Sequence, residues 1–497
     1  MYDFQKLREC FPQTTIYKDP SVAAVFRAAK IEAFLRDWIV KRKANADGQV
    51  DNLQELSEYV ARIIPNRQDR ERLVDEALSS GETRAFLAKV GVVFNPKTNE
   101  HTFEINSLGF AHNETIIEDY VWERVKDELL GEAGGWGKVR LGYLPPEPKK
   151  KNGRFTLLEF KNFRPYQVDL DSYRQARAEY EIEEWIDVLL GAIDYNPDAF
   201  ARQGAAPQDV ALAKHTMLTR LLPFVEPRVN LIELAPQQTG KSYIFGKIGK
   251  YGWLVGGGSM SRAQMFADLR DGNHRKGLVT FNDFVAIDEI KSINFNDDKE
   301  MGGVLKGYME DGRVKVGSTQ VEGDAGIIFL GNIDVDDMSD NRDMFRELPE
   351  IFRDSALLQR VHGFVPGRYI PSLSIEVAAK GWALNAEYFT EIMHMLRDKR
   401  ETLRYRGLVE RLVRVESATG ETSNREKEAV FRLCSAYMKL FFPHADETLI
   451  EDVRFKNEFK RYCLNPAVKM QNTVLRQMQI INPNEFKSKS MATYLVR

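Results

Sequence analysis

Residues 231–245 read LIELAPQQTGKSYIF, a short apolar strand that runs into a turn and then into the start of a helix. A phosphate-binding loop is written Gly, four residues, Gly-Lys-Ser/Thr. Gly240-Lys241-Ser242 closes that pattern, but Ala235 stands where its first Gly belongs. In such a loop, backbone N–H groups and the N-terminus of the following helix turn partial positive charge toward phosphates. Lys241 then reaches the β- and γ-phosphates of ATP and Ser242 offers its hydroxyl to Mg2+, with Ala235, Thr239 and Gly240 completing the cradle. Alanine has the smallest Cβ-bearing side chain, so the loop tolerates it unless position 235 requires φ > 0.

Three further elements follow in order. FVAIDEI places a buried strand, Phe284 to Ile287, directly before Asp288-Glu289. An Asp there holds the metal shell, and the adjacent Glu positions and polarises the attacking water. GIIFLGN is another apolar strand ending at Asn332, whose side chain is expected between the two loops before it, orienting water. DSALLQRVHGFVPGR carries Arg360 at the end of an apolar stretch; an Arg so placed inserts into a neighbouring subunit's site and neutralises transition-state charge. Each element alone has a bland structural reading, as a turn, a chain-reversing Asn or a structural Arg. In this order and spacing the four match an AAA+ ATPase. Strand, loop, helix, strand, helix, strand, helix, hairpin, strand is the alternation of an α/β fold with a parallel sheet and crossover helices.

Composition frames this reading. The 497 residues are 43% hydrophobic and 29% charged, with a formal net charge of −3, as in an ordinary globular protein of two to four domains. No apolar run approaches the roughly 20 residues of a membrane span, and MYDFQKLREC does not look like a secretory signal. The three cysteines lie far apart and the seven histidines show no paired ligand spacing, which argues against disulfides and thiolate metal sites. A cytoplasmic location without membrane contact is expected. Charge is uneven: residues 1–46 hold nine Lys/Arg against five Asp/Glu, and residues 453–497 nine against two. Basic ends can mark phosphate-backbone contact or simply solvated faces; the run Lys149–Lys151 on a hairpin loop reads the same two ways.

From about residue 60 to 450 the chain resembles the Lon-like BrxL ATPases of BREX bacteriophage-defence systems. The resemblance rests on EEWIDVLL, LLPFVE, LIELAPQQTGKS, VAIDEI, IIFLGNI, DSALLQRVHGFVPG and REKEAVFRLCSAYMKLFFPH, several of them outside the generic nucleotide motifs. It implies kinship with minichromosome maintenance helicases, whose arginine-finger segment ALLQR resembles and whose sensor-2 helix SNREKEAVFRL resembles, making Arg425 the candidate. It also implies a DNA-binding ATPase forming hexamers or paired hexamers, with other defence-system proteins as partners. The implied plan is a helical N-terminal region over 1–80, a β-rich domain over 81–175 as a candidate for DNA contact, and a helical linker over 176–225. An AAA+ P-loop core over 226–370, a helical lid with sensor 2 over 371–450 and a basic, irregular tail over 451–497 complete it. BrxL proteins usually show Gly at the position of Ala235 and continue into a Lon-protease-like domain. This chain stops after KSKSMATYLVR, about where that domain would start, so no Ser-Lys dyad is carried over and peptidase activity is not expected.

The track of the motor has its own signals. Polypeptide-threading relatives carry an aromatic residue in the loop after the second strand, and GGGSMSRAQ has none. GYMEDGRVKVGSTQVEGDAGIIFLGN instead reads as a hairpin before the Asn332 strand. Arg313 and Lys315 are expected to meet phosphates of double-stranded DNA there, with Ser318 and Thr319 as donors, although Glu322 and Asp324 offset the charge. The alternatives are a protein-remodelling ATPase that touches DNA incidentally, and a scaffold that binds ATP to assemble.

Overall fold

Five short apolar runs lie side by side in the computed structural model, which describes all residues except 1, 96–98, 130–134, 147–152, 202–205, 269–274, 296, 317–318, 373–376 and 417–422. They are β1 (Leu231–Ala235), β2 (Gly252–Val255), β3 (Phe284–Ile287), β4 (Gly326–Asn332) and β5 (Gly363–Pro366). They form one parallel sheet in the order β5-β1-β4-β3-β2. Parallel neighbours need crossover connections, so the chain leaves and re-enters the sheet between strands. β1 and β3 are buried along their whole length, as expected where a sheet is covered on both faces. Register sets Asn332 opposite Ala235 and Ile287 opposite Phe329. The carboxyl ends of β1, β3 and β4 therefore share one edge, the edge at which open α/β sheets bind ligands.

The chain divides into two compact units, one of residues 1–37, 168–265 and 278–497, the other of 38–167 and 266–277. The first contains the parallel sheet and three helices used below: α1 (Pro207–Thr219), α2 (Asp298–Asp311) and α3 (Asn424–Phe441). It also contains residues 1–37, although 1–80 reads as one helical region from sequence. Thr15–Lys18 is a strand, paired antiparallel with Gly381–Leu384. Four residues are too few to show a period, and the partner lies far along the chain.

The expected irregular tail is a correction. Residues 453–459 and 465–481 are helical, joined by a π-helical turn at 460–464, and Thr493–Val496 pairs with Val413–Glu416. Phe455, Phe459, Leu464, Ala467, Met470, Val474 and Met478 are buried, at spacings of three to five that form one helical face. The Lys and Arg that make the segment basic occupy the other faces.

In the second unit, Phe86–Lys89, Trp136–Leu144, Arg154–Asn162 and Thr115–Ile116 form a four-stranded sheet in that order. The hairpin Gly91–Asn95/Glu100–Glu104 and the helix Asp119–Leu129 accompany it. Phe103, Ile105, Phe110, Val121, Leu141, Leu157 and Phe160 make its core. Lys149–Lys151 and Ser318, both considered for DNA contact, lie outside the described residues, as does the side chain of Thr319.

Candidate nucleotide site

The loop after β1 turns through two left-handed positions, Gln238 at φ 60° and Gly240 at φ 78°. Glycine meets no Cβ penalty there, which accounts for Gly240. Ala235, by contrast, ends β1 outside the left-handed region, with its methyl buried. A Cβ built on Gly367, just past the end of β5, would fall 2.1 Å from the Ala235 Cβ. The alanine methyl thus occupies room that the glycine following the neighbouring strand leaves open. The helix after the loop widens, with Lys241–Tyr243 in α geometry and Ile244–Ile248 in π geometry, a variation frequent at functional sites.

Lys241 sits low in the loop, 6% exposed. Its amine donates to the Ala235 and Pro236 carbonyls at 3.3 and 3.2 Å and to Asn332 Oδ1 at 2.8 Å. Burial pushes its pKa below the usual lysine range, partly offset by the Glu233 carboxylate; desolvation disfavours the charged form. An ammonium only donates, so Oδ1 of Asn332 faces it and the amide N–H2 remains a donor. Across the sheet edge, Ser242 Oγ donates to Asp288 Oδ2 at 2.5 Å. Hydroxyl and carboxylate stand together, the oxygen pair that suits a Mg2+ shell. Glu289, next along, takes φ 53°, uncommon for a residue with a Cβ and concentrated at functional sites. Its carboxylate packs against Gly257, where a Cβ would come within 2.5 Å of Glu289 Oε2. The glycine loop after β2 therefore leaves room for the acid.

The structure brings Ala235, Thr239, Gly240, Lys241, Ser242, Asp288, Glu289 and Asn332 to one edge. Arg360 and Arg425 stand elsewhere. Arg360 precedes β5, where its carbonyl accepts from Asn230 Nδ2 at 3.3 Å, at the amino end of β1. At about 3.3 Å per residue, Asn230 lies roughly 16 Å from Ala235. The Arg360 guanidinium pairs with Glu310 of α2 at 2.8 Å. Arg425, in the first turn of α3, pairs with the same Glu310 at 3.0 Å and donates to Gln359 at 3.2 Å. One carboxylate thus holds both arginines on the side away from their own loop.

On the hairpin, Arg313–Val316 pairs with Thr319–Glu322. Arg313 Nε lies 2.9 Å from Glu322 Oε1, both exposed, while Asp324 faces Arg228 at 3.6 Å. Lys315 is exposed. Half of the expected charge offset is therefore real: Glu322 takes Arg313, and Asp324 turns elsewhere.

Sequence reading missed the layer under the loop. Arg220, just after α1, and Glu233, in the middle of β1, are fully buried and paired at 2.5 Å. Arg220 also donates to the Thr239 carbonyl at 2.7 Å. A Glu inside an apolar strand signals a buried partner, but nothing local says which. Tyr243, beside Ser242, donates to Asp194. Burial alone would raise that carboxyl, yet Arg36 and Lys18, at 2.7 and 2.6 Å, hold it well below the usual range. Beside the loop opens a cavity of about 420 Å3 lined by Pro236, Gln237, Asn332, Asp334, Asp343 and Glu347, among others. No helix among the described residues is long and apolar enough to cross a membrane.

Residues 155–492 match the family model described as "Lon-like protease BrxL-like, ATPase domain", and residues 9–143 match "BREX system Lon protease-like protein BrxL N-terminal". The chain is similar to the Lon-like protease BrxL of Escherichia coli O9:H4 (strain HS), 26% identical over 464 residues. It is also similar to the Lon-like protease BrxL of Bacillus cereus (strain H3081.97), 27% identical over 466 residues. Each alignment covers 92% of this chain and 62% or 64% of the relative, so the chain spans a little under two thirds of the length of these relatives. With the parallel α/β sheet lying inside the longer match, the chain belongs to the BrxL-like family and contains its ATPase domain.

Proposed function

We propose that the chain is an AAA+ ATPase that hydrolyses ATP between adjacent copies of itself, in a ring that encircles or translocates on double-stranded DNA in defence against phage. The observation that carries this reading is the bonded set Lys241–Asn332 and Ser242–Asp288 at one sheet edge, with Arg360 and Arg425 at the other. The family match and its ATPase domain support it.

In this reading the phosphate loop binds the triphosphate through its N–H groups and Lys241, whose charged form the phosphates favour. Mg2+, held by Ser242 and Asp288, supplies charge neutralisation at the phosphates. Glu289 accepts the proton of the attacking water, and the Asn332 amide orients that water. Arg360 and Arg425 reach the neighbouring subunit's phosphates, because β1 keeps them from their own. The core then carries a helical lid, and six or twice six copies close the ring in the cytoplasm.

Lys315 and the hairpin support the DNA track, by phosphate contact without base reading. The Arg313–Glu322 pair favours a second reading, remodelling of a protein partner from the defence system, since it removes one cation from the hairpin. ATP turnover measured with and without duplex DNA, over a salt series, separates the two. The DNA reading expects stimulation that falls steeply with salt; turnover indifferent to DNA but raised by a folded protein partner overturns it.

A further inference from the structure

Arg220 is fully buried and its planar fork faces two things at once. Nε lies 3.0 Å from Glu233 Oε2 and Nη2 2.5 Å from Oε1, which anchors the guanidinium to β1. Nη1 donates to the Thr239 carbonyl at 2.7 Å, and Nη2 lies 3.3 Å from Thr239 Oγ1. That hydroxyl in turn donates to the Pro236 carbonyl at 3.2 Å, tying the loop across its width.

In a trans peptide the carbonyl and the next N–H point in opposite directions. Drawing the Thr239 carbonyl down onto Arg220 therefore turns the Gly240 N–H up, out of the core and into the cradle. Gly240, at φ 78°, accepts that orientation without a Cβ clash. Resting on the nucleotide reading above, we propose that Arg220 is a positioning residue of the phosphate cradle, setting the Gly240 N–H against the β-phosphate through the Thr239 carbonyl. Glu233 keeps the guanidinium in register for this task. A lysine cannot do the same, because one ammonium lacks the rigid fork that serves carboxylate and carbonyl together.

The test compares ADP with AMP in the presence of Mg2+, by calorimetry on the full chain. Removing one partner of a buried pair strands the other charge, whereas replacing both by apolar residues is often neutral. In the variant Arg220→Met/Glu233→Met we expect cooperative unfolding near the wild-type temperature and AMP affinity unchanged. Affinity for ADP falls about 10- to 100-fold, the range of a lost charge-assisted bond. Arg220→Lys, which keeps the charge, shows the same selective loss and serves if the double variant does not fold. Equal losses for ADP and AMP, or no loss for either in a folded variant, overturn the proposal, since a merely structural residue has no preference for the β-phosphate. A wild-type chain that binds neither ADP nor ATP overturns the nucleotide reading instead.

Discussion

The amine of Lys241 donates to Oδ1 of Asn332 at 2.8 Å, bonding the loop after β1 to the end of the adjacent strand. Each residue therefore sets the other's orientation. Lys241→Ala is expected to abolish ATP binding. Asn332→Ala is expected to leave binding within a few-fold and to lower kcat about 100-fold, the scale of a lost preorganised donor. Nucleotide affinity and steady-state turnover of both variants check this; normal turnover by Asn332→Ala removes the water-orienting role.

Glu289→Gln keeps the size and the φ of 53° but loses the proton acceptor. ATP affinity should be unchanged and turnover should drop at least about 100-fold. A variant that hydrolyses ATP at the wild-type rate assigns the base elsewhere.

Arg360→Ala should bind nucleotide normally and hydrolyse it poorly. Because β1 separates Arg360 from its own loop, mixing Arg360→Ala with Lys241→Ala chains should restore part of the activity that neither has alone. At such a mixed interface one chain supplies the loop and the other the arginine. Mixtures as inactive as their components would mean that both residues serve one chain.

Gly367 leaves the room that the Ala235 methyl fills. Gly367→Ala alone forces two methyls into one space, 2.1 Å apart, and should destabilise the fold by about 1–3 kcal/mol. Ala235→Gly/Gly367→Ala should recover only part of that loss, because the new methyl still meets the backbone Cα of position 235 at 2.8 Å. Thermal midpoints of the two variants decide the matter, and a double variant no better than the single one contradicts the shared space.

Acid should weaken the first unit through its histidines. His215, whose ring lies 2.9 Å from the Tyr462 carbonyl, is pushed by burial down to about 4. The unfolded chain, with an ordinary histidine near 6.5, takes up the proton first. Stability is therefore complete above about pH 6.5 and lost as pH falls toward 4, by roughly 3 kcal/mol for this residue. His215→Gln should flatten the fall of the unfolding midpoint over that interval; an unchanged slope contradicts the buried neutral ring.

The parallel sheet and the loop-to-strand pairing were legible because they rest on local signals: apolar runs of four to seven residues, two of which lead straight into polar groups, Asp288-Glu289 and Asn332. Strand Thr15–Lys18 was not, since its partner Gly381–Leu384 is set by tertiary packing alone. The C-terminal helices hid behind their own charge, their buried face being carried by Phe, Met and Val between lysines and arginines. Arg220 shows the same limit at the site. Glu233 advertised a buried acid, but the guanidinium that meets it comes from the end of a preceding helix. The residues proposed to touch phosphate sit in motifs, whereas Arg220, proposed to hold the loop in shape, sits where the fold brings it.

Glu310 and the length of β1 together bear on how such a molecule behaves when scarce. On the proposed reading, a solitary chain carries the loop half of one site and the arginine half of another, and Glu310 keeps the second half occupied. Turnover per chain then depends on how many chains meet. Dilution silences the activity and crowding awakens it, with no inhibitor required beyond distance.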